Sequence, residues 1–256
     1  MNNYYSGQGS LYVAKRNSLT GKPEGFLAVG NVPELTINIE TTKFEHKESE
    51  SGARLIDLTL ITEKKGLFEF TLENLSLDNL ALGLWGTKAT VAGGTIAAGA
   101  EEIVIPMGST AGMRFPLAHP NVTALTVTGP GGTPTHALGT DYEVDAKNGV
   151  IIIKGGIVTG AASAASSIEV GYTYAGYVKM DAFTDSTPPE RWLRFEGLNT
   201  VDGKSVIIDM FKAQFEPLTG YALINEELGS VSMKGNVLAD ALQTVGSQFF
   251  RQVNAG

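Results

Sequence analysis

The chain has no cysteine, which excludes structural disulfides and thiolate metal sites. Histidine is scarce: His46, His119 and His136 are the three. They show no metal-ligand spacing and read as surface or loop residues. Charge is thin, at 18% of residues with a net of −8. Such a balance lacks the clustered Lys and Arg that grip phosphate, yet it suits a wall that lets nucleic acid pass unheld. No apolar run approaches the ~20 residues that span a bilayer, so no membrane partner is predicted. The opening MNNYYSGQGS has neither the basic nor the apolar region of a secretory signal, which makes the cytoplasm the expected place of synthesis. There is no G-x-S-x-G elbow and no P-loop, and Gly7-Gln8-Gly9 meets no third glycine in register. Asp141, Glu143 and Asp145 lack the glycine and distal Glu of a calcium loop and read as a solvated strand face. No catalytic residue, cofactor site or metal site emerges, so the chain is predicted not to be an enzyme.

Glycine, at 31 of 256, is well above the usual ~7% and predicts many turns. The most structured stretch is Leu67–Gly86. A strand-like segment ends at Leu72, and a short leucine-dense helix follows. Leu77, Leu80, Ala81, Leu84 and Trp85 fall at i, i+3, i+4, i+7 and i+8, one face of a helix. Leu75 and Leu82 widen that face, and Ser76, Asn79 and Gly83 form a polar stripe opposite. Asn74 or Ser76 caps the start, Asp78 sits well in the helix dipole, and Gly86 suits a left-handed terminus. The predicted helix core is Leu77, Leu80, Leu84 and Trp85, covered by a sheet.

Elsewhere alternation predicts strands. Leu11–Lys15 is one, followed by a polar turn at Asn17–Gly25. Leu35–His46 places Leu35, Ile37 and Ile39 on one face and Thr36, Asn38, Glu40 and Thr42 on the other. Arg54–Glu63 sets Ile56, Leu58 and Leu60 against Asp57 and Thr59. Between them His46–Ala53, HKESESGA, is charged and has almost nothing to bury, so it predicts an exposed, mobile hairpin loop. From Thr87 to about Ser167 the chain turns rich in Gly, Ala, Thr and Pro. Strand signals persist at Glu101–Pro106, Val122–Thr128, Asp141–Asp145 and Val150–Lys154, with a hairpin turn at Asn148-Gly149. Gly155–Ser167 reads as a flexible, small-residue connection. Residues 87–167 thus predict a β-rich insertion within a single domain spanning 1–256. Ser167–Met180, Glu190–Leu198, Lys204–Glu216, Gly229–Leu238 and Ser247–Val253 complete the strands, with Asp202-Gly203 as a second hairpin turn. Within Lys204–Glu216, Ile207, Phe211, Ala213 and Phe215 are predicted to share a face.

The run GKPEGFLAVGNVPELTINIETTKFEHKESESGARLIDLTLIT, followed by GLFEFTLENLSLDNLALGLWG, resembles the N-terminal half of major tail tube proteins of long-tailed (siphovirus-type) bacteriophages. DYEVDAKNGVIIIKGG, the later YTYAGY, and KSVIIDMFKAQFEPLTGYALINEELGSVSMKGNVLAD continue the resemblance in order. It covers more than half of the chain, and Val91–Ala100 and Thr159–Ser167 fall outside it.

The resemblance implies two packed antiparallel sheets flanked by one helix, in a virion protein. It implies hexameric rings, each with a continuous β-barrel inside, that stack into the tube through which the genome is ejected. The expected partners are further copies of the chain, the tail terminator, tape-measure and distal tail proteins, and double-stranded DNA in transit. Assembly in the host cytoplasm and residence in the virion tail follow. The early loop, here Glu45, His46, Lys47, Glu48, Ser49, Glu50 and Ser51, is expected to reach a neighbouring subunit. Glu40 and Asp57, on polar strand faces, are the lumen candidates, because an acidic wall lets DNA slide. The bulky insertion is expected outside the ring. The alternative is a β-sandwich binding module, an adhesin or carbohydrate-binding domain, for which a row of exposed aromatics would speak. Tyr172, Tyr174 and Tyr177 come nearest to one and are expected to pack instead.

Overall fold

The structure is a computed structural model and describes residues 4–161 and 166–255. Strands hold 53% of residues and helices 6%, so the protein is mainly β. In chain order the strands are β1 (Gly7–Arg16), β2 (Pro23–Ala28), β3 (Glu34–Lys47), β4 (Ile56–Leu72), β5 (Thr87–Val91), β6 (Gly94–Ile105), β7 (Arg114–Pro116) and β8 (Val122–Thr128). They continue as β9 (Tyr142–Asp145), β10 (Val150–Ile153), β11 (Ser166–Tyr174), β12 (Tyr177–Asp181), β13 (Glu190–Asn199), β14 (Ser205–Phe215), β15 (Val231–Val237) and β16 (Phe250–Ala255). Helix α1 is Leu77–Gly83 and α2 is Gly155–Gly160.

The chain forms two compact units, Met1–Lys88 with Met180–Gly256, and Ala89–Lys179. The second unit therefore runs past the Ser167 expected from composition. The reason is β11, whose Ile168, Val170 and Tyr172 belong to that unit's core. β5 and β12, paired as a two-stranded sheet, carry the chain out and back.

The first unit is an eight-stranded antiparallel sheet, ordered β2-β1-β13-β14-β15-β4-β3, with β16 also on β14. β14 splits it: Ser205–Met210 pair with β16, whereas Ala213–Phe215 pair with β15. Leu11 of β1 and Leu193 of β13 meet Phe68, Phe70, Phe215 and Met233 in a single core. Phe68 lies edge-on to Phe215 with ring centroids 5.2 Å apart, a favoured aromatic geometry. Gly235 makes room for it, because a Cβ there would come within 2.7 Å of the Phe68 ring and 2.1 Å of the Gln214 carbonyl. A register shift at Arg191/Leu193 breaks the alternation of β14. Phe211 consequently leaves the face of Ala213 and Phe215 and packs on Trp192, in a separate cluster with Ala14.

Helix α1 starts as predicted, with the Asn79 amide donating to the Ser76 hydroxyl at 3.3 Å. Its buried side differs from the predicted one: Asn79, Leu80, Leu82 and Gly83 are buried, while Leu77, Leu84 and Trp85 are half-buried. Asn79 leaves the polar stripe because its side-chain amide donates to the carbonyls of Val29 and Asn74, both at 2.8 Å. Gly83 is covered by Leu218. The left-handed residue is Trp85, at φ 47°, rather than Gly86. The Trp85 indole donates to the Phe215 carbonyl at 3.0 Å, which holds that backbone. Gly86 serves by its size, since a Cβ would fall 2.7 Å from the Asp181 carbonyl.

The second unit has its own core, from Ile105, Val127, Ile151, Ile153 and Ile168 among others. Its sheets are β6-β11-β8 and β7-β10-β9. The expected flexible connection at 155–167 begins instead with helix α2. Ile157 anchors the helix in the core, and the Gly156 amide donates to Asp141 at 3.0 Å. The rest of that expectation falls partly outside the described residues. Likewise β6 starts at Gly94, within the Gly/Ala-rich run that carried no strand signal.

Candidate assembly surface

Strands β3 and β4 form one long hairpin with two different halves. At its root Leu35 pairs with Phe70 and Ile37 with Phe68, and these side chains reach the first unit's core. From Ile39 to Lys47 and from Ile56 to Lys65 every residue is exposed. At about 3.3 Å per residue, Glu40–Lys47 make an arm ~26 Å long. Isolated two-stranded ribbons are marginal in water, so the arm owes its position to the root.

The arm carries large apolar side chains without a core of its own. Phe44 is 52% exposed, Leu58 48% and Leu60 49%. The register explains why they gather. Thr42 pairs with Glu63, but Lys43 pairs with Ile61, so Thr62 is an extra residue on β4. The bulge sets Phe44 opposite Leu60 and His46 opposite Leu58. Residues directly opposite share a face and successive residues alternate. Phe44, seven positions beyond Ile37, therefore lies on the side away from the core. Without the bulge Phe44 would face Ile61, and Leu60 would lie on the other side. One inserted residue thus makes a contiguous patch of Phe44, Leu58 and Leu60. On the opposite face Ile61 and Ile56 are separated by the Glu45–Thr59 pair and flanked by Lys43 and Lys47.

The tip was expected to be mobile for want of anything to bury. Polar bonds close it instead. The Glu48 carboxylate accepts the amides of Glu50 (2.7 Å), Ser51 (2.9 Å) and Leu55 (3.2 Å), and the Ser51 hydroxyl. The Ser51 hydroxyl is the largest cause, ahead of the Ser51 amide, that holds the Glu48 carboxyl at about 2, well below 4.5. Ser49 and Glu50 lie in the same exposed tip.

The two lumen candidates are not brought together. Glu40 sits at the base of the arm opposite Lys65. Asp57 is the extra residue of a second bulge near the tip, and His46 Nδ1 lies 2.6 Å from its carboxylate.

Below the arm, the side of β3 that faces the core opens into a groove of about 830 Å³. Its lining is mixed: Leu35, Ile37, Ile39, Phe195, Ile208 and Phe250 share it with Tyr5, Gln8, Asn31 and Gln252. The groove exists because the sheet branches at β14. β3 ends one branch and β16 the other, and among the described residues neither has a strand on its outer side.

Two buried charge clusters, silent in the sequence, tie the last segment of the chain down. Asp209, 1% exposed, accepts from Trp192 Nε1 at 3.3 Å, Arg194 at 3.1 Å and Arg251 at 2.8 Å. Arg16 bonds Asp240 at 2.6 Å and Glu190 at 2.9 Å. Burial pushes the Asp240 carboxyl up, but Arg16 and the Leu242 amide outweigh it and leave it below the usual carboxylate value.

In the second unit the carboxylates of Asp141, Glu143 and Asp145 are engaged separately. Asp141 accepts the Ala137 amide at 2.8 Å, Glu143 pairs with Lys154, and Asp145 pairs with Arg114 at 2.7 Å. Among the described residues no group of three or more His, Asp or Glu is arranged to hold a metal ion. Tyr172 is buried and Tyr174 stacks on His119 at 3.8 Å, while Tyr177 lies edge-on to that ring. The three tyrosines pack around one histidine and form no open row. Among the described residues no helix is long and apolar enough to cross a membrane.

Fold and arm together define a mainly β protein with an inserted second unit and a projecting amphipathic hairpin. The family described as Protein of unknown function UCP028589 matches residues 4–253, and the chain belongs to that family. No curated protein matches it.

Proposed function

We propose that the chain is a structural, self-assembling virion subunit that builds the tail tube of a long-tailed bacteriophage, without enzymatic activity. The observation that carries this reading is the arm: an exposed hairpin with Phe44, Leu58 and Leu60 in one patch, on a chain whose β3 and β16 have, among the described residues, unpaired edges. Such a patch and such edges are aggregation hazards unless a partner covers them. A head-to-tail contact between copies covers both and closes into rings or continues as a filament. The resemblance to tail tube proteins supplies the rest: hexameric rings, stacking, terminator, tape-measure and distal tail partners, and DNA passing through the bore. Glu40 and Asp57 remain the lumen candidates, and the second unit belongs outside the bore. The test is electron microscopy of the purified full chain across a concentration series. Rings or tubes are expected. Monomers alone at the highest concentration would refute the reading.

A further inference from the structure

We propose that β16 is a latch over the edge of β14. It opens as one piece while the rest of the first unit stays folded, and the bond between Arg251 and Asp209 holds it shut. Topology permits this. The sheet runs β2-β1-β13-β14-β15-β4-β3 without β16, which among the described residues pairs with β14 alone. That pairing extends from Ser205 opposite Ala255 to Met210 opposite Phe250. On its other side the same stretch of β14 is paired with β13. Departure of β16 therefore breaks no other strand pair and leaves β14 in the sheet.

Burial gives β16 little to hold it. Arg251–Ala255 are exposed and Phe250 is half-buried. The buried core of the first unit contains no residue of β16, and Phe249 and Phe250 pack only at its margin. The preceding segment closes on itself. The Asp240 amide donates to the Gln248 carbonyl at 2.9 Å, and the Asp240 carboxylate accepts the Leu242 amide at 3.0 Å while Arg16 holds it. That anchor survives when the strand beyond it leaves. What remains is charge. Arg251 donates to Asp209 at 2.8 Å and lies over the Phe211 ring, 5.9 Å from its centroid. Hydrogen bonds between charged groups are stronger than neutral ones. Without Arg251 the buried Asp209 keeps Arg194 and Trp192, so its charge is not stranded and the sheet beneath stays intact. Segments with few buried contacts open ahead of the whole. Opening uncovers Ser205–Met210 as a free edge, the kind that templates strand pairing. The latch thus decides when that edge is available.

The test is amide hydrogen exchange on the unassembled full chain. The Arg251 side chain is 57% exposed, so Arg251→Gln leaves the fold standing. It is expected to speed exchange at Phe250–Ala255 at least tenfold, while Phe68–Leu72 and Val231–Val237 stay within twofold of the unmodified chain. The chain has no cysteine, so Ile207→Cys with Val253→Cys, which stand opposite each other, adds a single staple between β14 and β16. Oxidised in the Arg251→Gln background, the staple is expected to return the protection of β16 to the unmodified level. Three results overturn the latch: β16 amides that are already unprotected in the unmodified chain, no acceleration in Arg251→Gln, or an acceleration at Phe68–Leu72 equal to that at β16. The last would mean that the unit opens as a whole.

Discussion

At the scale of single residues, the structure places charge where the sequence shows only polarity. Glu48 is one of several acids in a charged loop, yet its carboxylate gathers four hydrogen bonds and organises the arm's tip. Its carboxyl is depressed to about 2 from 4.5. A depressed carboxyl stabilises the folded form above its unfolded value, and that contribution disappears as the pH falls through the folded value. The tip is therefore expected to stay closed down to about pH 4.5 and to open between there and pH 2. A carbon NMR titration of the Glu48 carboxyl should show a midpoint near 2, and Ser51→Ala should raise it, because the Ser51 hydroxyl is the largest cause. A midpoint of 4.5 in the unmodified chain would mean the tip is not tied. None of this was legible from HKESES, because three of the four donors are backbone amides that, like the Ser51 hydroxyl, align on Glu48 only once the hairpin closes. Asp209 and Asp240 make the same point: their arginines, Arg194, Arg251 and Arg16, arrive from other strands.

At the scale of elements, period and punctuation carried most of the information. β3 and β8 lie where alternation puts them, α1 begins at its capping serine, and Gly149 and Gly203 take the left-handed turns their neighbours announce. Departures arise where tertiary contacts outrank the pattern. Helix α2 is held by Ile157 and Asp141 rather than by propensity, and the faces of β14 switch at a bulge that no periodicity reveals. The arm is a mixed case. Its strands and apolar residues were readable, but their gathering on one face depends on where Thr62 bulges. Helix α1 gives the sharpest energetic contrast. Leu80 is 4% exposed, whereas Leu84 is half-buried at the cap. Truncating a buried leucine to alanine costs about 2–5 kcal/mol. Leu80→Ala should fall in that range by urea denaturation of the unassembled chain, and Leu84→Ala should cost distinctly less. Equal losses would place the helix's buried face where the leucine spacing put it rather than where Asn79 and Gly83 turn it.

At the scale of the whole molecule, the main question is whether the inserted unit shares the stability of the first. The second unit runs from Ala89 to Lys179, past the change of composition near Ser167, because β11 is regular strand sequence and yet closes that unit's core. The two cores are separate in membership. Leu11, Phe68, Phe215 and Met233 with their neighbours belong to the first unit, and Ile105, Ile151, Ile153 and Ile168 with theirs belong to the second. A chain segment with its own buried core, above the size at which domains need staples, folds alone. The fragment Ala89–Lys179 is therefore expected to unfold cooperatively by itself, and calorimetry of the unassembled full chain should show a transition matching it. The reciprocal variant replaces Ala89–Lys179 with a short Gly/Ser linker between Lys88 and Met180. It keeps α1, the branched sheet, the groove and the arm, so it should fold and still form tubes, thinner by the mass of the missing unit. A linker variant that folds but stays monomeric would mean that the second unit takes part in assembly, and the arm would then no longer suffice to account for it.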